Sequence, residues 1–273
     1  MADEHFEANR SNWNERADIH IKDETGFYAI DRLVAGEPVL TPIERQELPA
    51  LAGKRVAHFQ CHIGTDTLSL KLLGAAEVVG LDFSPKAVAH ARELAERAGL
   101  EAQFVEGSVY DAPALLGGDF DLVFTSWGTI GWLDDMARWA AAIAGVLKPG
   151  GQLYFADSHP FVLPFDDEAG GAPTLLYDYE TPQEQPLQFD TDTTYNLSDE
   201  RIGSTRTYEW SHSMSRVLNA LIGAGLTIRV VNEHEAVPWQ RFGIMTMGAD
   251  RLWRLPKEHV RIPLAWSILA EKA

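Results

Sequence analysis

The sequence has little cysteine and few positive charges. Its single cysteine, Cys61, excludes an internal disulfide and a cysteine-based zinc site, and it fits a reducing compartment. Lys and Arg number 23 against 40 Asp and Glu, which gives a formal net charge of -17. A field of that sign repels phosphate backbones and anionic lipid surfaces, so neither nucleic acid nor a membrane is an expected partner. Most of the acidic charge is expected to lie on a solvated surface.

Long apolar runs are also missing. No stretch of eighteen or more apolar residues occurs, and the start MADEHFEANR has neither a basic leader nor an apolar core. The sequence therefore predicts neither a membrane span nor a secretion signal, and we expect a cytoplasmic protein. The nine histidines are not paired with carboxylates at helical spacing, so no metal site is expected.

Four regions differ in residue pattern. Residues 1–50 mix polar and aromatic residues with prolines, which predicts short helices that cover another part of the molecule. Residues 51–157 alternate strand-like runs with helical patterns, as parallel strands joined by helical crossovers do. Residues 158–212 are rich in aromatic residues and Thr and predict an antiparallel insertion that caps the substrate. Residues 213–273 predict one helix followed by two strands.

The pattern gives seven strands in an α/β fold, and its helices have clear ends. Ser84 and Pro85 are typical of a helix N-cap and first residue, and Gly99 is typical of the end of that helix. The segment WLDDMARWAAAIAGVL predicts another helix, which KPGG at 148–151 ends before the next strand. The five strands predicted in the central region are RVAHFQ, EVVGLD, AQFVEG, FDLVFTS and QLYFAD.

Residues that follow the predicted strands are the candidate ligand contacts, because sheets of this kind bind ligands at the carboxyl ends of their strands. QCHIGTDTLSL follows the first strand, and the backbone N–H groups at its helix start can bind a ligand carboxylate. Asp82 ends the second strand about twenty residues after that turn, the spacing at which an acidic residue binds both ribose hydroxyls. This spacing favours ribose binding over a helix cap or a surface carboxylate.

The region from 55 to 157 resembles the core of class I S-adenosylmethionine-dependent methyltransferases. In that family a glycine-rich loop holds the methionine part, an acidic residue ends the second strand, a residue after the third strand touches adenine, and a PGG-type turn precedes the fifth strand. The corresponding positions here are QCHIG, Asp82, Ser108 with Val109, and KPGG. The resemblance implies a doubly wound, Rossmann-like, mostly parallel sheet of seven strands with an antiparallel last strand. It also implies S-adenosylmethionine as the cofactor and S-adenosylhomocysteine as its product.

The sequence of the first loop differs from the family's usual pattern, which is an acidic residue followed by three spaced glycines. His58 stands at the acidic position, Gln60 and His62 stand at the first two glycine positions, and only Gly64 is retained. Gln60 and Asp66 are candidates for binding the cofactor's amino group, with a packed structural side chain as the alternative for each. The predicted cofactor-binding residues are Trp13, Tyr28, Gln60, Cys61, His62, Gly64, Asp66, Thr67, Asp82, Phe83, Ser84, Ser108, Val109, Tyr110, Thr125, Ser126 and Trp127.

Methyl transfer depends on holding the acceptor in line behind the sulfonium methyl while water is excluded, so a dedicated catalytic residue is optional. Trp13 and Tyr28 are candidates for contacts to the sulfonium, through cation–π attraction to their rings and a C–H···O contact to an oxygen. The alternative is that they hold the N-terminal helices in place. If the acceptor must lose a proton, the candidate bases are the side chains that follow the fifth strand. The alternative for His159 is a structural role, and the alternative for the adjacent carboxylates is a solvated loop. The predicted catalytic residues are Tyr28, His159 and Asp166, with Asp167 beside them. The predicted substrate contacts are Trp132, Phe161, Tyr195, His212 and Trp239.

The aromatic insertion and cover favour a small aromatic or heteroaromatic acceptor, methylated without a metal. The sequence also resembles actinobacterial natural-product methyltransferases of secondary metabolism, including those that methylate indole carbon. Two other functions stay open. One is a catalytically inactive sensor of S-adenosylmethionine or S-adenosylhomocysteine, or a partner-binding module. The other is an NAD-dependent oxidoreductase, which the missing loop glycines disfavour because a pyrophosphate could not approach the backbone.

Overall fold

Strands form the centre of the computed structural model, which describes residues 3–166 and 174–273. The described strands are β1 (Arg55–Phe59), β2 (Glu77–Asp82), β3 (Gln103–Glu106), β4 (Phe120–Ser126), β5 (Leu147–Ser158), β6 (Phe165–Asp166), β7 (Thr174–Leu175), β8 (Leu187–Asp190), β9 (Arg206–Glu209), β10 (Leu226–His234), β11 (Thr246–Met247), β12 (Trp253–Arg254) and β13 (Ala265–Lys272). The described α-helices are α1 (Asp3–His20), α2 (Ile30–Val34), α3 (Pro42–Glu47), α4 (Thr65–Leu72), α5 (Pro85–Ala98), α6 (Ala112–Leu116), α7 (Met136–Val146) and α8 (Met214–Gly223).

Seven of these strands pair into one sheet in the order β10-β13-β5-β4-β1-β2-β3. The five strands from β1 to β5 pair in parallel, and β13 runs antiparallel to both β5 and β10. This arrangement confirms the predicted seven-stranded α/β sheet with an antiparallel last strand. Three two-stranded antiparallel pairs, β6 with β7, β8 with β9, and β11 with β12, lie outside it. The last of these pairs falls after the predicted insertion and was not expected.

Both faces of the sheet are covered by helices and buried side chains. On one face Trp139 of α7 contacts Phe155 of β5, and Phe155 contacts Trp266 of β13, each pair edge to face at 5.6 Å between ring centroids. On another part of the sheet Phe124 and Tyr154 stack at 5.6 Å. Such aromatic pairs combine large buried areas with a preferred geometry. These contacts join β5 to β4, to β13 and to α7 within the core.

The predicted helix ends are confirmed for α5 and shifted for α7. The Ser84 hydroxyl accepts the N–H of Ala87, and Gly99 ends α5 in the left-handed conformation. The helix α7 begins at Met136, four residues later than the predicted start at Trp132, because the Asp135 side chain caps it. KPGG does not separate helix and strand as expected, since β5 already begins at Leu147.

The first helix is longer than the short helices predicted for residues 1–50. α1 extends over 18 residues, and it buries polar side chains as well as apolar ones. The side-chain amide of Asn9 donates to the carbonyl of Tyr208 and accepts the N–H of the same residue, and Asn12 donates to the carbonyl of Ser204. Hydrogen bonds to β9 and its preceding loop thus hold α1, so an apolar stripe is not needed to anchor it. Every helix within 3–166 and 174–273 is too short or too polar to cross a bilayer.

Candidate active site

A cavity of about 1140 Å³ lies between the carboxyl ends of the strands, the N-terminal cover (residues 1–50) and the insertion (residues 158–212). Its volume is large for a ligand pocket and leaves room for two small molecules side by side. The predicted site residues that line it are Trp13, Tyr28, Gln60, Cys61, His62, Asp66, Asp82, Phe83, Ser126, Trp127, Trp132, Tyr195, His212 and Trp239. The fold therefore brings together side chains that the sequence predicted from four separate segments.

The loop after β1 keeps left-handed backbone at three alternate residues. Gln60, His62 and Gly64 have φ angles of 56°, 49° and 82°. A non-glycine residue in this conformation costs about 1–2 kcal/mol, so the loop holds strain at two positions where the family resemblance expects glycine. A Cβ on Gly64 would lie 2.8 Å from the ring of Phe104, which explains why this glycine is retained. The turn therefore keeps left-handed backbone at two positions that carry side chains, Gln60 and His62.

Asp82 stands beside this loop at the end of β2. One carboxylate oxygen accepts the N–H of His62 at 2.8 Å, and the other accepts the N–H of Ser84 at 2.9 Å. Burial raises the pKa of Asp82 to about 6, and the backbone N–H groups of Ser84 and His62 oppose that rise. Each oxygen keeps lone-pair capacity for another donor, because an ionised carboxylate accepts about four hydrogen bonds. The carboxylate can therefore accept from ribose hydroxyls at the cavity wall.

Gln60 lines the same cavity and has one acceptor without a partner. Its side-chain nitrogen donates to the carbonyl of Thr129 at 2.7 Å, whereas its oxygen Oε1 is buried and has no hydrogen-bond partner among the described residues. A buried polar atom without a partner costs about 1–3 kcal/mol, which a ligand donor would recover. Together with Asp82 and the left-handed loop, this oxygen fits the amino and ribose groups of S-adenosylmethionine.

A buried hydrogen-bond network joins the N-terminal cover, the first loop and the insertion. Nδ1 of His20 lies 2.8 Å from both Nε2 of His62 and the hydroxyl of Tyr28, and Nε2 of His20 lies 2.5 Å from the hydroxyl of Thr194. The Tyr28 hydroxyl also bonds that of Tyr195. Burial lowers the pKa of both histidines, to about 3 for His62, so both are neutral at neutral pH. The network closes one side of the cavity.

The carboxyl side chains of Glu44 and Asp66 belong to another part of the cavity wall. Glu44 of α3 is fully buried, and one of its oxygens accepts the N–H of Thr41 at 2.7 Å. Burial, followed by the nearby charge of Asp66, raises the pKa of Glu44 to about 8, and burial raises the pKa of Asp66 to about 6. Sequence reasoning missed Glu44. The only signal was the pattern Thr-x-x-Glu, which indicates a helix start, and in the structure the Glu44 carboxylate accepts the N–H of Thr41.

Aromatic side chains line the other side of the cavity. Trp13 meets Trp132 edge to face at 5.2 Å, and Trp127 meets Trp239 in the same manner at 6.2 Å. The loop that carries Trp127 is held by the buried Asp157, whose carboxylate accepts the N–H groups of residues 128, 129 and 130. These rings form flat apolar surfaces suited to a planar ligand.

Other predicted cofactor contacts do not line the cavity in the described structure, because they serve the surrounding fold. They are Gly64, Thr67, Ser84, Ser108, Val109, Tyr110 and Thr125. The Thr67 hydroxyl bonds the ring of His58 at 2.8 Å, and Val109 is buried in the core. The Ser108 hydroxyl caps the turn that follows it, and the Tyr110 hydroxyl donates to Asp134.

The predicted bases after β5 also lie away from the cavity wall. Nδ1 of His159 accepts the N–H of Phe161, and its Nε2 bonds Glu233, so both ring nitrogens are engaged. Asp166 belongs to the short strand β6, and Phe161 is 44% exposed. Asp167 lies outside the described residues.

His212 does line the cavity, but burial lowers its pKa to about 4 and its Nε2 lies 2.7 Å from the carbonyl of Leu133. Its ring therefore donates a hydrogen bond to that carbonyl. No three His, Cys, Asp or Glu side chains of the described segments come together as a set of metal ligands.

The comparison with protein families matches residues 56–151 to the family described as "Methyltransferase domain". The match begins one residue into β1 and ends within β5, so it contains the first loop, Asp82 and the whole of β2, β3 and β4.

Curated relatives match the same part of the chain. A ubiquinone biosynthesis O-methyltransferase of Aromatoleum aromaticum is 35% identical over 106 residues, and a demethylmenaquinone methyltransferase of Thermus thermophilus is 35% identical over 127 residues. A ribosomal protein L11 methyltransferase of Vibrio cholerae is 35% identical over 103 residues. These alignments cover 39%, 46% and 38% of this chain, and the chain spans 44%, 54% and 33% of the three relatives' own lengths.

Solved structures extend the similarity of fold to most of the chain. An S-adenosylmethionine-dependent methyltransferase of Mesorhizobium loti has a TM-score of 0.56 and 21% identity, and it covers 85% of this chain and 96% of its own. A protein described as a putative S-adenosylmethionine-dependent methyltransferase, from Listeria monocytogenes, has a TM-score of 0.57 and 16% identity, with coverage of 84% and 95%. Residues 56–151 thus match a methyltransferase domain, and most of the chain shares the fold of solved S-adenosylmethionine-dependent methyltransferases.

Proposed function

We propose that this chain transfers the methyl group of S-adenosylmethionine to a small aromatic or heteroaromatic molecule, with indole carbon as one candidate acceptor. The observation that carries the proposal is a single cavity whose wall includes both Asp82 with the 60–64 loop and the tryptophans 13, 127, 132 and 239. The first set suits an adenosyl cofactor, and the second suits a flat acceptor. In-line displacement needs both ligands in one enclosed space.

On the cofactor side, the residues of this chain would bind and orient. Asp82 would accept from the ribose hydroxyls, and Oε1 of Gln60 would accept from the amino group. S-adenosylmethionine, when bound, supplies an electrophilic methyl group on a sulfonium. The ring of Trp13 lies at the cavity wall beside His62 and offers a π face for cation–π attraction to that positive centre. The His20 network would hold the cover and the insertion over the site and exclude water.

On the acceptor side, Trp127, Trp132 and Trp239 would hold the planar ring. The names of the two quinone-related relatives agree with a small-molecule acceptor, whereas the ribosomal-protein relative indicates that the shared segment alone does not set acceptor choice. Residues outside that segment, in the cover and the insertion, would then determine specificity. Trp13, Tyr195 and Trp239 are the residues we assign to this selection.

Acid–base chemistry is a smaller part of this proposal than positioning. Burial raises the pKa of Tyr28 well above its ordinary value, and its hydroxyl is engaged by His20 and Tyr195. We therefore assign Tyr28 to holding the cavity wall in place and not to removing a proton. An indole carbon is nucleophilic before it loses a proton, so such an acceptor suits this arrangement.

The test is methyl transfer from labelled S-adenosylmethionine to a panel of indoles, phenols and aromatic amines. We expect label in at least one product with the wild-type protein and with Glu96→Gln, an exposed change of the same charge on α5. Asp82→Ala should lose the transfer. Binding of S-adenosylhomocysteine without label transfer to any acceptor would favour a sensor, and binding of NAD in its place would favour an oxidoreductase.

A further inference from the structure

We propose that Arg16 binds a carboxylate carried by the methyl acceptor, so that the acceptor is an aromatic or heteroaromatic acid. This inference rests on the proposed function and defines its acceptor more narrowly. Arg16 belongs to α1 in the N-terminal cover, and it lines the same cavity as Trp13, Trp132 and Tyr195. Sequence reasoning did not single out this arginine.

Two contacts within α1 hold the guanidinium of Arg16 in place. Its Nε–H donates to the side-chain oxygen of Asn12 at 2.6 Å, and the fully buried Asn12 donates in turn to the carbonyl of Ser204 at 2.7 Å. Its Cζ lies 5.5 Å from the centroid of the Trp13 ring, within the range of a cation–π contact. A side chain that is already positioned in this way loses less conformational freedom when a ligand binds.

Most of the hydrogen-bonding capacity of Arg16 is unused in the described structure. A guanidinium has five N–H donors, and only the Nε–H has a partner among the described residues. Within the same residues it forms no ion pair at 4.0 Å or less, although Glu209 of β9 also lines the cavity. The Nη1 and Nη2 groups therefore remain for a ligand, and together they can bind a carboxylate through two parallel hydrogen bonds.

The other arginines of the cavity wall differ from Arg16. Each is exposed to solvent or bonded to a carboxylate or to a backbone carbonyl; they are Arg32, Arg45, Arg241 and Arg251. Burial lowers the pKa of Arg16, and the charges of Tyr195, Glu209 and Tyr28 oppose that change. Because an arginine stays charged at neutral pH, a partly buried one without a paired carboxylate is stabilised by an anionic ligand.

The contacts of Trp13 relate Arg16 to the acceptor side of the cavity. The Trp13 ring lies 5.2 Å from that of Trp132 and 6.3 Å from that of Tyr195, two residues predicted to contact the substrate. Trp13 also lies 5.2 Å from His62 of the first loop, so the carboxylate of the cofactor is a second source to be tested. For that carboxylate, however, the backbone N–H groups at the start of α4 are already the predicted partners.

A carboxylate matches this position better than a phosphate does. A carboxylate carries one negative charge and two coplanar oxygens, whereas a phosphate group carries up to two charges and three acceptor oxygens. No lysine of the described residues lines the cavity and could supply a further positive charge. The expected acceptor is therefore a planar ring, such as indole, with a carboxylate on a short side chain.

The experiment is calorimetric titration of the protein in the presence of S-adenosylhomocysteine. The probes are indole-3-carboxylate, indole-3-acetate and indole-3-propionate, each compared with its primary amide, which has nearly the same shape and no charge. The variants are Arg16→Gln, which removes the charge, and Arg16→Lys, which keeps the charge but loses the planar pair of donors. The control is Arg97→Gln, which removes a positive charge at an exposed position of α5.

We expect the wild-type protein and Arg97→Gln to bind at least one acid about tenfold or more tightly than its amide, because the amide loses the charge-assisted hydrogen bonds. Arg16→Gln should remove this preference by weakening the acid roughly tenfold, and it should leave the amide within about twofold. Arg16→Lys should retain only part of the preference, since it makes no bidentate pair. Thermal melting checks that each variant is folded, and Arg16→Lys provides the test if Arg16→Gln is not.

Two results would overturn the inference. One is equal affinity of acid and amide for the wild-type protein, or equal weakening of both by Arg16→Gln, which would leave Arg16 a structural role. The other concerns the cofactor and is tested with S-adenosylhomocysteine and its decarboxylated analogue. If Arg16→Gln weakens S-adenosylhomocysteine alone and the preference for the acid persists, the carboxylate that Arg16 binds is that of the cofactor.

The inference and the proposed function fail in different ways. If the wild-type protein transfers label to uncharged aromatic molecules and prefers none of the acids, the inference is wrong and the proposed function stands. If it prefers an acid through Arg16 but transfers label to no acceptor, the carboxylate site stands and the proposed function is wrong.

Discussion

Replacement of Gly64 by alanine should destabilise the protein through both backbone strain and steric overlap. Gly64 has a φ of +82°, and a Cβ there would lie 2.8 Å from Phe104 and 2.9 Å from the Cβ of Ala91. The left-handed conformation costs a non-glycine residue about 1–2 kcal/mol, and overpacking of a filled core costs about 1–3 kcal/mol. We therefore expect Gly64→Ala to lower the free energy of unfolding by about 2–5 kcal/mol.

The matched control is Gly99→Ala. Gly99 has a φ of +65°, and a Cβ there has nothing within 4 Å among the described residues, so only the strain applies. Urea unfolding followed by circular dichroism should give Gly64→Ala the larger loss, by at least about 1 kcal/mol. Equal losses for the two variants would refute the claim that close packing of the first loop against β3 and α5 fixes glycine at this position.

Three further predictions concern buried polar groups. Burial lowers the pKa of His58 to about 3, so the protein loses stability as pH falls below 6.5. The variant His58→Asn should lose about 2 kcal/mol less unfolding free energy between pH 7 and pH 5 than the wild type. Equal losses for the two proteins in urea titrations would contradict this prediction. Burial raises the pKa of Glu44 from 4.5 to about 8, so the stability that its neutral form provides is lost as pH rises through that interval. The melting temperature of Glu44→Gln relative to that of the wild type should therefore be higher at pH 9 than at pH 4. An equal difference in melting temperature at the two pH values would count against a buried acid. Tyr28→Phe should cost about 1–3 kcal/mol in urea unfolding because it breaks buried hydrogen bonds, and a loss below about 0.5 kcal/mol would show that the network adds little.

The central sheet could be predicted because its signals are local. β1, β2 and β4 are short apolar runs that the sequence displays directly, and Ser84 with Gly99 marks both ends of α5. Repeated alternation of strand and helix then restricts the topology to a small number of arrangements. The position of Asp82 could be predicted for the same reason, because it depends only on where β2 ends.

The cover and much of the cavity wall could not be predicted in this way. α1 is held by side-chain amides such as Asn9 and Asn12, so it lacks the apolar stripe from which a helix is predicted. His20 and Thr194 are hydrogen-bonded across 174 positions of sequence, and no local pattern indicates such a contact. The sequence around Glu44 indicates only a helix-capping residue, and its burial near the charge of Asp66 is known only from the fold.

The central claim is that the adenosyl cofactor lies at the end of β2 with its ribose on Asp82. A crystal structure of the protein with S-adenosylhomocysteine tests it most directly. We predict both ribose hydroxyls at about 2.5–3.0 Å from the Asp82 carboxylate oxygens, with the amino-acid part beside the 60–64 loop. A nucleoside bound elsewhere, or a ribose that does not contact Asp82, would contradict the account.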